Sequence, residues 1–341
     1  MEKELLLIGD TGNVKRTGTD PVLDMMRKHL PGENGLLAFL GDNIYPKGLP
    51  PEGHLLRRDA ENVLKQHAKA LQHYHGRMVF LSGNHDWNKG RRNGYEYVLR
   101  QQEYIEKLFG KKNIYLPGNG CPGPELIDFD EKLAVIIINT QWWLQGGLRP
   151  IGKQFGCTAG SETDFFIRLE QMITANRGRK VLVLGHSPIY SYSIHGGKYL
   201  FKHHLFPLTM YKKNAWLPLP FIGSLLPLYR KYIGAKEDIA HPRYRQLRKR
   251  LKEIFRKHPD LIYACGHEHN LQHISKYGNH FLVTGAGSKT TYVRKSGKHL
   301  YFGTKQHGFV KLRMNDNGKI TLSIWVCDKN EGEKEAYSAS L

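Results

Sequence analysis

Five short polar clusters hold the side chains of this 341-residue sequence that are best suited to chemistry. Each has a glycine followed by carboxylate, amide or imidazole groups, and each comes directly after an apolar run. A lone Gly-Asp or a lone histidine in such a place is most often only a turn or a packed side chain. Repeated at five strand ends, these groups instead predict a metal centre. In chain order the clusters are Gly9-Asp10-Thr11-Gly12, Gly41-Asp42-Asn43-Ile44-Tyr45, Gly83-Asn84-His85-Asp86, Gly185-His186 and Gly266-His267-Glu268-His269.

The apolar runs themselves predict buried β-strands, because each is short and ends in a polar or glycine-rich turn. Since the C-terminal ends of parallel strands share one edge of a sheet, the clusters are expected to converge there although they are far apart in sequence. The runs are 5–8, 36–40, 78–81, 133–138, 181–184 and 261–264.

The pattern between and after these runs predicts a layered α/β sandwich with two sheets. Amphipathic stretches predict helices at 59–74, at 161–176 and from Pro242 onwards. Further strands are predicted at 271–275, 280–284, 308–314 and 320–326, the last two joined by the hairpin signal Asn315-Asp316-Asn317-Gly318. We expect one domain over 1–330 with an insertion at 199–240, followed by a polar C-terminal tail at 331–341.

The insertion at 199–240 is both basic and aromatic. The chain has 51 Lys and Arg against 31 Asp and Glu, a net charge of +20 that favours anionic partners. Residues 199–258 contain 14 of the basic and 3 of the acidic residues. Phe201, Trp216 and Phe221 interleaved with lysines suit peripheral contact with an anionic membrane surface. The alternative is a lid that packs on the domain, with Lys202, Lys212 and Lys213 among its solvated cations.

The cysteines and the N-terminus leave the compartment open. No Cys-x-x-Cys pair is present, and Cys265 lies in an apolar run typical of a core thiol. Cys121 and Cys157 lie in glycine-rich loops and would form a disulfide if the protein is exported, or stay as free thiols if it is not. The apolar run at 5–8 is too short for a signal peptide. We expect a soluble chain, or a mature domain whose export signal was removed.

Taken together, the five clusters resemble the calcineurin-like metallophosphoesterases, and in detail the purple acid phosphatase branch, including the tartrate-resistant type. Most of that superfamily has Asp-x-His in the first cluster, whereas this chain has Asp10-Thr11-Gly12. Tyr45, three residues after Asp42, takes the place of the missing imidazole, as in the purple branch. The resemblance implies a four-layer αββα sandwich of two mixed β-sheets flanked by helices, with the metal site at the C-terminal ends of the strands.

The resemblance also implies two metal ions bridged by Asp42, whose carboxylate can give one oxygen to each of two cations about 3.5–4 Å apart. A tyrosine with a pKa near 10 binds as phenolate only to a strongly Lewis-acidic cation, for which Fe(III) fits best. The other site suits Zn(II), Fe(II) or Mn(II). Alternatively, Tyr45 packs as a rim aromatic. The implied ligands are Asp10, Asp42, Tyr45 and His269 for Fe(III), and Asp42, Asn84, His186 and His267 for the second cation.

The implied activity is hydrolysis of phosphate esters, with phosphomonoesters favoured, by attack of a metal-bound hydroxide. His85 and His195 match family positions that contact the phosphate, and a histidine is suited to protonating the leaving group because its pKa is near 6.5. Which of the two donates the proton stays open. Asp86 is expected to orient a neighbouring histidine and Glu268 to face away from the metals, whereas Lys289 receives no catalytic role.

Two other functions are compatible with the sequence. One is a phosphodiesterase or nuclease acting on nucleic acid or lipid headgroups, although the chain has no recognised nucleic-acid-binding module. The other is a non-catalytic scaffold of the cell envelope. Gly120-Cys121-Pro122-Gly123-Pro124-Glu125 and Thr140-Gln141-Trp142-Trp143 also resemble bacterial phosphoesterase domains that precede outer-membrane assembly barrels. This favours the cell envelope, periplasmic and membrane-associated, over the cytoplasm.

Overall fold

A computed structural model describes residues 2–14, 20–210, 214–328 and 332–341. Two mixed β-sheets pack face to face. The first sheet contains β1 (Lys3–Ile8), β2 (Leu36–Phe39), β3 (Arg77–Phe80), β11 (His307–Met314), β12 (Ile320–Asp328) and β13 (Gly332–Ser340). The second contains β4 (Glu125–Asp128), β5 (Leu133–Ile137), β6 (Lys180–Leu184), β7 (Ile262–Cys265), β8 (Leu271–Lys276), β9 (Asn279–Thr284) and β10 (Leu300–Thr304). Over the described ranges the strand order is β13-β12-β11-β1-β2-β3 in the first sheet and β10-β8-β9-β7-β6-β5-β4 in the second.

The central strands are apolar throughout because both of their faces are buried. In β1, Leu5 and Leu7 belong to the core between the two sheets, whereas Leu6 and Ile8 belong to the core under the helices. Strands β1, β2 and β3 run parallel, as do β5, β6 and β7. The C-terminal ends of these strands therefore lie at one edge of each sheet, as predicted.

Helices cover the outer face of each sheet, which completes the predicted four layers. Against the first sheet lie α1 (Pro21–Lys28), α2 (Arg57–Ala70) and α3 (Gly94–Phe109). Against the second lie α4 (Glu162–Ala175) and α7 (Pro242–Arg256). The αββα sandwich of two mixed sheets is thus confirmed. Helices α1 and α3 and strands β4, β10 and β13 have no predicted counterpart.

The prediction of a polar tail at 331–341 is wrong for the described residues 332–341. β13 (Gly332–Ser340) pairs antiparallel with β12 from Thr321 to Asp328. Its polar composition fits an edge strand, which is exposed along one side, while Ala336 and Tyr337 pack against the core between the sheets.

The insertion at 199–240, called the cap from here on, contains two short helices, α5 (Phe201–Leu205) and α6 (Leu225–Tyr232). Its prolines limit helix length, as expected, and no helix in the described part of the chain has the length and apolar character needed to cross a bilayer. Lys212 and Lys213 lie outside the described residues.

The structure contains both a disulfide and a buried free thiol. Cys121 and Cys157 form a disulfide that joins loops 36 residues apart. Cys265 is a buried free thiol, as the apolar run around it predicts.

Candidate metal centre

The five polar clusters meet where the two sheets present their C-terminal strand ends. Asp10, Asp42 and Asn84 follow β1, β2 and β3 of the first sheet, while His186 follows β6 and His267 follows β7 of the second. Ligand atoms of Asp10, Asp42 and His186 lie within 4.8 Å of one another. The site is therefore assembled from both sheets.

Glycine precedes the ligands because the turns approach each other too closely for a side chain. A Cβ at Gly83 would lie 2.3 Å from Oδ1 of Asp42, and one at Gly266 would lie 2.5 Å from Oδ2 of Asp10. The backbones of Asp10 and Asp42 adopt φ angles of 60° and 56°, which are rare for residues with a side chain. Such conformations cluster at functional sites, where the surrounding structure enforces them.

The first ligand group is centred on the Tyr45 hydroxyl. It lies 2.8 Å from Oδ1 of Asp10, 3.0 Å from Oδ2 of Asp42 and 3.0 Å from Nε2 of His269. Burial and the two neighbouring carboxylates raise the pKa of Tyr45 well above its usual value. The tyrosine is buried within this group, and its position is not that of a rim aromatic. The phenol has one proton and two carboxylate acceptors, so a cation would satisfy the group better.

The second ligand group is centred on Oδ1 of Asn84, which lies 3.0 Å from Nε2 of His186 and 3.0 Å from Nδ1 of His267. The other nitrogen of each ring has a partner: His186 Nδ1–H donates to the Leu40 carbonyl at 2.8 Å, and His267 Nε2–H donates to the Glu237 carbonyl at 2.9 Å. In the neutral form of each ring, the nitrogen that faces Asn84 is therefore unprotonated, and three lone pairs converge. This donor set fits a cation.

Asp42 connects the two groups. Its Oδ2 contacts the Tyr45 hydroxyl, and its Oδ1 lies 3.6 Å from Nε2 of His186. Burial opposes ionisation of this carboxyl, but the imidazoles of His85 and His186 outweigh it and lower the pKa of Asp42. One oxygen of a buried carboxylate thus faces each group.

Asp86 does not orient a histidine, contrary to the expectation. Its carboxylate accepts hydrogen bonds from the backbone N–H groups of Asp42, Asn43 and Gly83 and from the Gln101 amide. Asp86 therefore holds the turn that carries Asp42. Burial and the nearby charge of Asp42 raise its pKa to about 7.

Glu268 faces away from both ligand groups, in line with the expectation. Its carboxylate accepts hydrogen bonds from the Ser191 hydroxyl at 2.6 Å and from the Gly196 N–H at 3.2 Å. It thereby holds the 191–196 turn.

Both histidines singled out for catalysis lie beside the ligand groups. His85 Nδ1–H donates to the Pro46 carbonyl at 2.6 Å, which leaves Nε2 on the side of Asp42, 3.8 Å from Oδ2. His195 packs against the ring of His267 with centroids 4.6 Å apart. Burial lowers the pKa of His85, whereas at His195 the carboxylates of Asp238 and Glu268 outweigh burial and raise the pKa.

Four further residues at the site were given no catalytic or metal-binding role from the sequence. Glu237 accepts a hydrogen bond from Nδ2 of Asn84 at 2.9 Å. Asp238 binds Nδ1 of His195 at 2.9 Å and is paired with the buried Arg230. Lys289 Nζ lies 3.2 Å from the centroid of the Tyr45 ring. Three of these four come from the cap, where no strand end or motif marks them.

The family model for calcineurin-like phosphoesterases matches residues 4–271, which include all five clusters. The chain belongs to this family. The predicted family is therefore confirmed, and with it a metal-dependent hydrolase of phosphoesters. No curated protein sequence matches the chain significantly.

Solved structures share this fold at low sequence identity. GAP50, the anchor in the inner membrane complex of Plasmodium, is 14% identical with a TM-score of 0.60, covering 100% of this chain and 88% of GAP50. Purple acid phosphatase PPD1 from yellow lupin (Lupinus luteus) is 14% identical with a TM-score of 0.59, covering 100% of this chain and 53% of PPD1. PhoD is 11% identical with a TM-score of 0.55, covering 100% of this chain and 68% of PhoD. At these identities, the similarities show a shared fold.

Proposed function

We propose that the chain is a dinuclear metallophosphoesterase of the purple acid phosphatase type that hydrolyses phosphate monoesters. The observation that carries the proposal is the position of Asp42, a buried carboxylate with one oxygen facing each of two ligand groups. Two bound cations would supply Lewis acidity and lower the pKa of a water toward 7, so that it can attack phosphorus.

The donors of the two groups suit different cations. Asp10, Tyr45 and His269 form a harder group with a phenol, which binds as phenolate near neutral pH only to a strong Lewis acid, and this supports Fe(III). Asn84, His186 and His267 supply one amide oxygen and two imidazoles, which supports Zn(II), Fe(II) or Mn(II). Asp42 belongs to both.

His85 and His195 are the proposed contacts to the phosphate and the proposed sources of the leaving-group proton. Each has Nδ1 held by a hydrogen bond to a fixed acceptor, so Nε2 is the nitrogen that can exchange a proton with substrate. Lys289 and His195, whose pKa is raised, place cationic groups around the centre. A monoester dianion gains more from such a field than a diester monoanion does.

Replacing Tyr45 with phenylalanine tests the ligand assignment. We expect wild-type protein purified without chelator to contain two metal ions per chain, one of them iron, and to show a visible charge-transfer band from phenolate to Fe(III). Tyr45→Phe keeps the ring but removes the phenolate, so the band is expected to disappear. The measurement is visible absorption with metal analysis, alongside assays on a phosphomonoester and a phosphodiester.

Tyr277→Phe is the matched control, because Tyr277 is exposed on the turn between β8 and β9. It should keep the band. A wild type with two cations and no band would contradict the role of Tyr45, and faster hydrolysis of the diester would favour a phosphodiesterase or nuclease.

The second candidate function is a non-catalytic anchor of the cell envelope. GAP50, which has the same fold, is the anchor in the inner membrane complex of Plasmodium. The convergence of unprotonated nitrogens and carboxylates argues for the enzyme, because such groups repel one another unless a cation lies between them. Absence of metal in protein purified without chelator would favour the anchor.

We place the protein in an oxidising compartment at the cell envelope. The disulfide between Cys121 and Cys157 supports this, because disulfides persist in secreted and periplasmic proteins and are rare in the cytosol.

The cap is the proposed site of peripheral membrane contact. Phe201 and Phe221 are 83% and 97% exposed, and Ile222, Leu225 and Tyr232 are each at least 60% exposed. Large apolar side chains grouped on one segment mark an interaction site, and the basic charge of 199–258 favours an anionic lipid surface over a neutral partner.

Replacing Phe201, Phe221 and Leu225 with serine tests membrane contact without deleting the cap, whose residues also reach the metal centre. We expect the wild type to sediment with vesicles of phosphatidylcholine and phosphatidylglycerol but only weakly with phosphatidylcholine alone. Burying one such side chain contributes about 1.5–3 kcal/mol, so the triple variant should lose at least about 100-fold in partitioning.

Leu55→Ser is the control, because Leu55 is 92% exposed but lies outside the cap. It should sediment like the wild type. Equal sedimentation of the triple variant would refute membrane contact through the cap, and a concentration-dependent dimer lost in that variant would assign the surface to a second copy of the chain.

A further inference from the structure

We infer that Glu237 of the cap is a positioning residue for the second cation, which it serves by fixing the orientation of Asn84. The inference rests on the proposed dinuclear centre. Glu237 lies 153 residues from Asn84 in sequence, yet its Oε1 accepts a hydrogen bond from Nδ2 of Asn84 at 2.9 Å. The cap thus completes the surroundings of a ligand that the sandwich provides.

The two ends of the Asn84 amide differ in what they can bind, because the oxygen accepts hydrogen bonds and the NH2 group donates them. A carboxylate can only accept hydrogen bonds, so Glu237 requires the NH2 end of the amide to face it. Oδ1 is then turned toward Nε2 of His186 and Nδ1 of His267, where a metal ligand is needed. Without the carboxylate, the amide can rotate by half a turn and donate to those two nitrogens. That arrangement satisfies the amide and closes the group to a cation.

The backbone of the same residue orients a second ligand. The Glu237 carbonyl accepts the Nε2–H of His267 at 2.9 Å, which leaves Nδ1 of that ring unprotonated and directed at Asn84. Because a side-chain substitution does not remove this carbonyl, a change at Glu237 isolates the effect of the carboxylate on Asn84.

The segment that carries Glu237 is held on both sides. Lys236 Nζ donates to the Gly90 carbonyl at 2.7 Å. Asp238 accepts from Nε of Arg230 at 2.9 Å and from the Ala235 N–H at 2.9 Å. The position of the carboxylate is therefore fixed by contacts on either side of it in the chain.

The negative charge of the Glu237 carboxylate also favours a cation beside Asn84. The only formal negative charge among the proposed second-site ligands is Asp42, which is shared with the first cation. A further carboxylate beside Asn84 favours a dication there.

Replacing Glu237 with methionine, which has a similar length but no strong acceptor, tests the inference by metal binding alone. Metal-free protein is titrated with Mn(II), and free Mn(II) is followed by electron paramagnetic resonance. We expect wild type to bind two ions per chain and Glu237→Met to bind one of them about 10–100-fold more weakly, as is typical when a partner that orients a metal ligand is lost. Glu237→Gln, whose amide oxygen can still accept from Nδ2 of Asn84, should retain more of the affinity than methionine does.

Glu33→Gln carries the same charge change at an exposed residue that precedes β2, at the end opposite to the metal centre. It should bind Mn(II) like the wild type. Equal affinities in Glu237→Met and wild type would overturn the inference and leave the dinuclear proposal intact. A loss of both ions together with a lower melting temperature would also overturn the inference, because it would show that Glu237 stabilises the fold and does not act on one cation. A wild type that binds fewer than two ions would instead refute the proposed function.

Discussion

Replacing Asp42 with asparagine is expected to lower kcat for a phosphomonoester by at least about 1,000-fold. One oxygen of Asp42 faces each ligand group, and a neutral amide cannot bridge two cations with comparable strength. Metal catalysis supplies several kcal/mol of transition-state stabilisation, and each 1.36 kcal/mol corresponds to a factor of ten. The measurement is kcat with 4-nitrophenyl phosphate, together with metal content per chain.

The fold should survive this substitution. The amide oxygen of the Asp42→Asn variant can still accept the His85 backbone N–H that Oδ1 of Asp42 accepts at 2.8 Å, and the buried charge is removed. The charge of Asp42 attracts the neighbouring imidazoles, and this lowers its pKa in the folded protein, so circular dichroism should show a native spectrum but a moderately lower melting temperature for the metal-free variant. Glu33→Gln should keep full activity. A fully active Asp42→Asn enzyme would remove the basis for a bridged pair of cations.

Replacing His85 with asparagine is expected to slow hydrolysis of an alkyl phosphate by about 100- to 10,000-fold, the usual contribution of a general acid. The loss should be much smaller for 4-nitrophenyl phosphate, because nitrophenolate leaves without protonation. His85 Nε2 is directed toward Asp42, and its Nδ1–H is held by Pro46. The measurement compares kcat for the two substrates in the variant and in the wild type.

His75→Asn is the control, because His75 is exposed and precedes β3 at the end far from the centre. It should leave both rates unchanged. Equal losses on the two substrates would show that His85 binds the phosphate without donating the proton. In that case the same experiment on His195→Asn identifies the donor, since His195 is held by Asp238 in the corresponding way.

The strands, the polar clusters that follow them and the family could be predicted from the sequence. Strands buried on both faces are apolar at every position, so runs such as the one from Leu5 to Ile8 stand out. Ligands such as Asp10 and His186 come directly after such runs, with a glycine that the close approach of the turns requires. Local patterns carry this information because each strand end is a local feature, and the parallel arrangement brings the ends together.

Other features depended on contacts between distant segments. Gly332–Ser340 has the composition of a solvated tail, and only its pairing with β12 makes it a strand. The sequence did not decide whether Cys121 and Cys157 form a disulfide or stay as two thiols, because spacing along the chain does not fix the distance between two loops in space.

The sequence by itself determined the kind of chemistry, since its polar clusters, with Asp42, Tyr45 and the histidines, identify a metal-dependent phosphoesterase. Only the tertiary structure showed which atom of each donor faces inward, because that depends on hydrogen bonds from other segments. Leu40 and Glu237 fix the rings of His186 and His267 in this way. No local pattern reports a contact across 153 residues, so the cap's part in the centre became visible only in the folded chain.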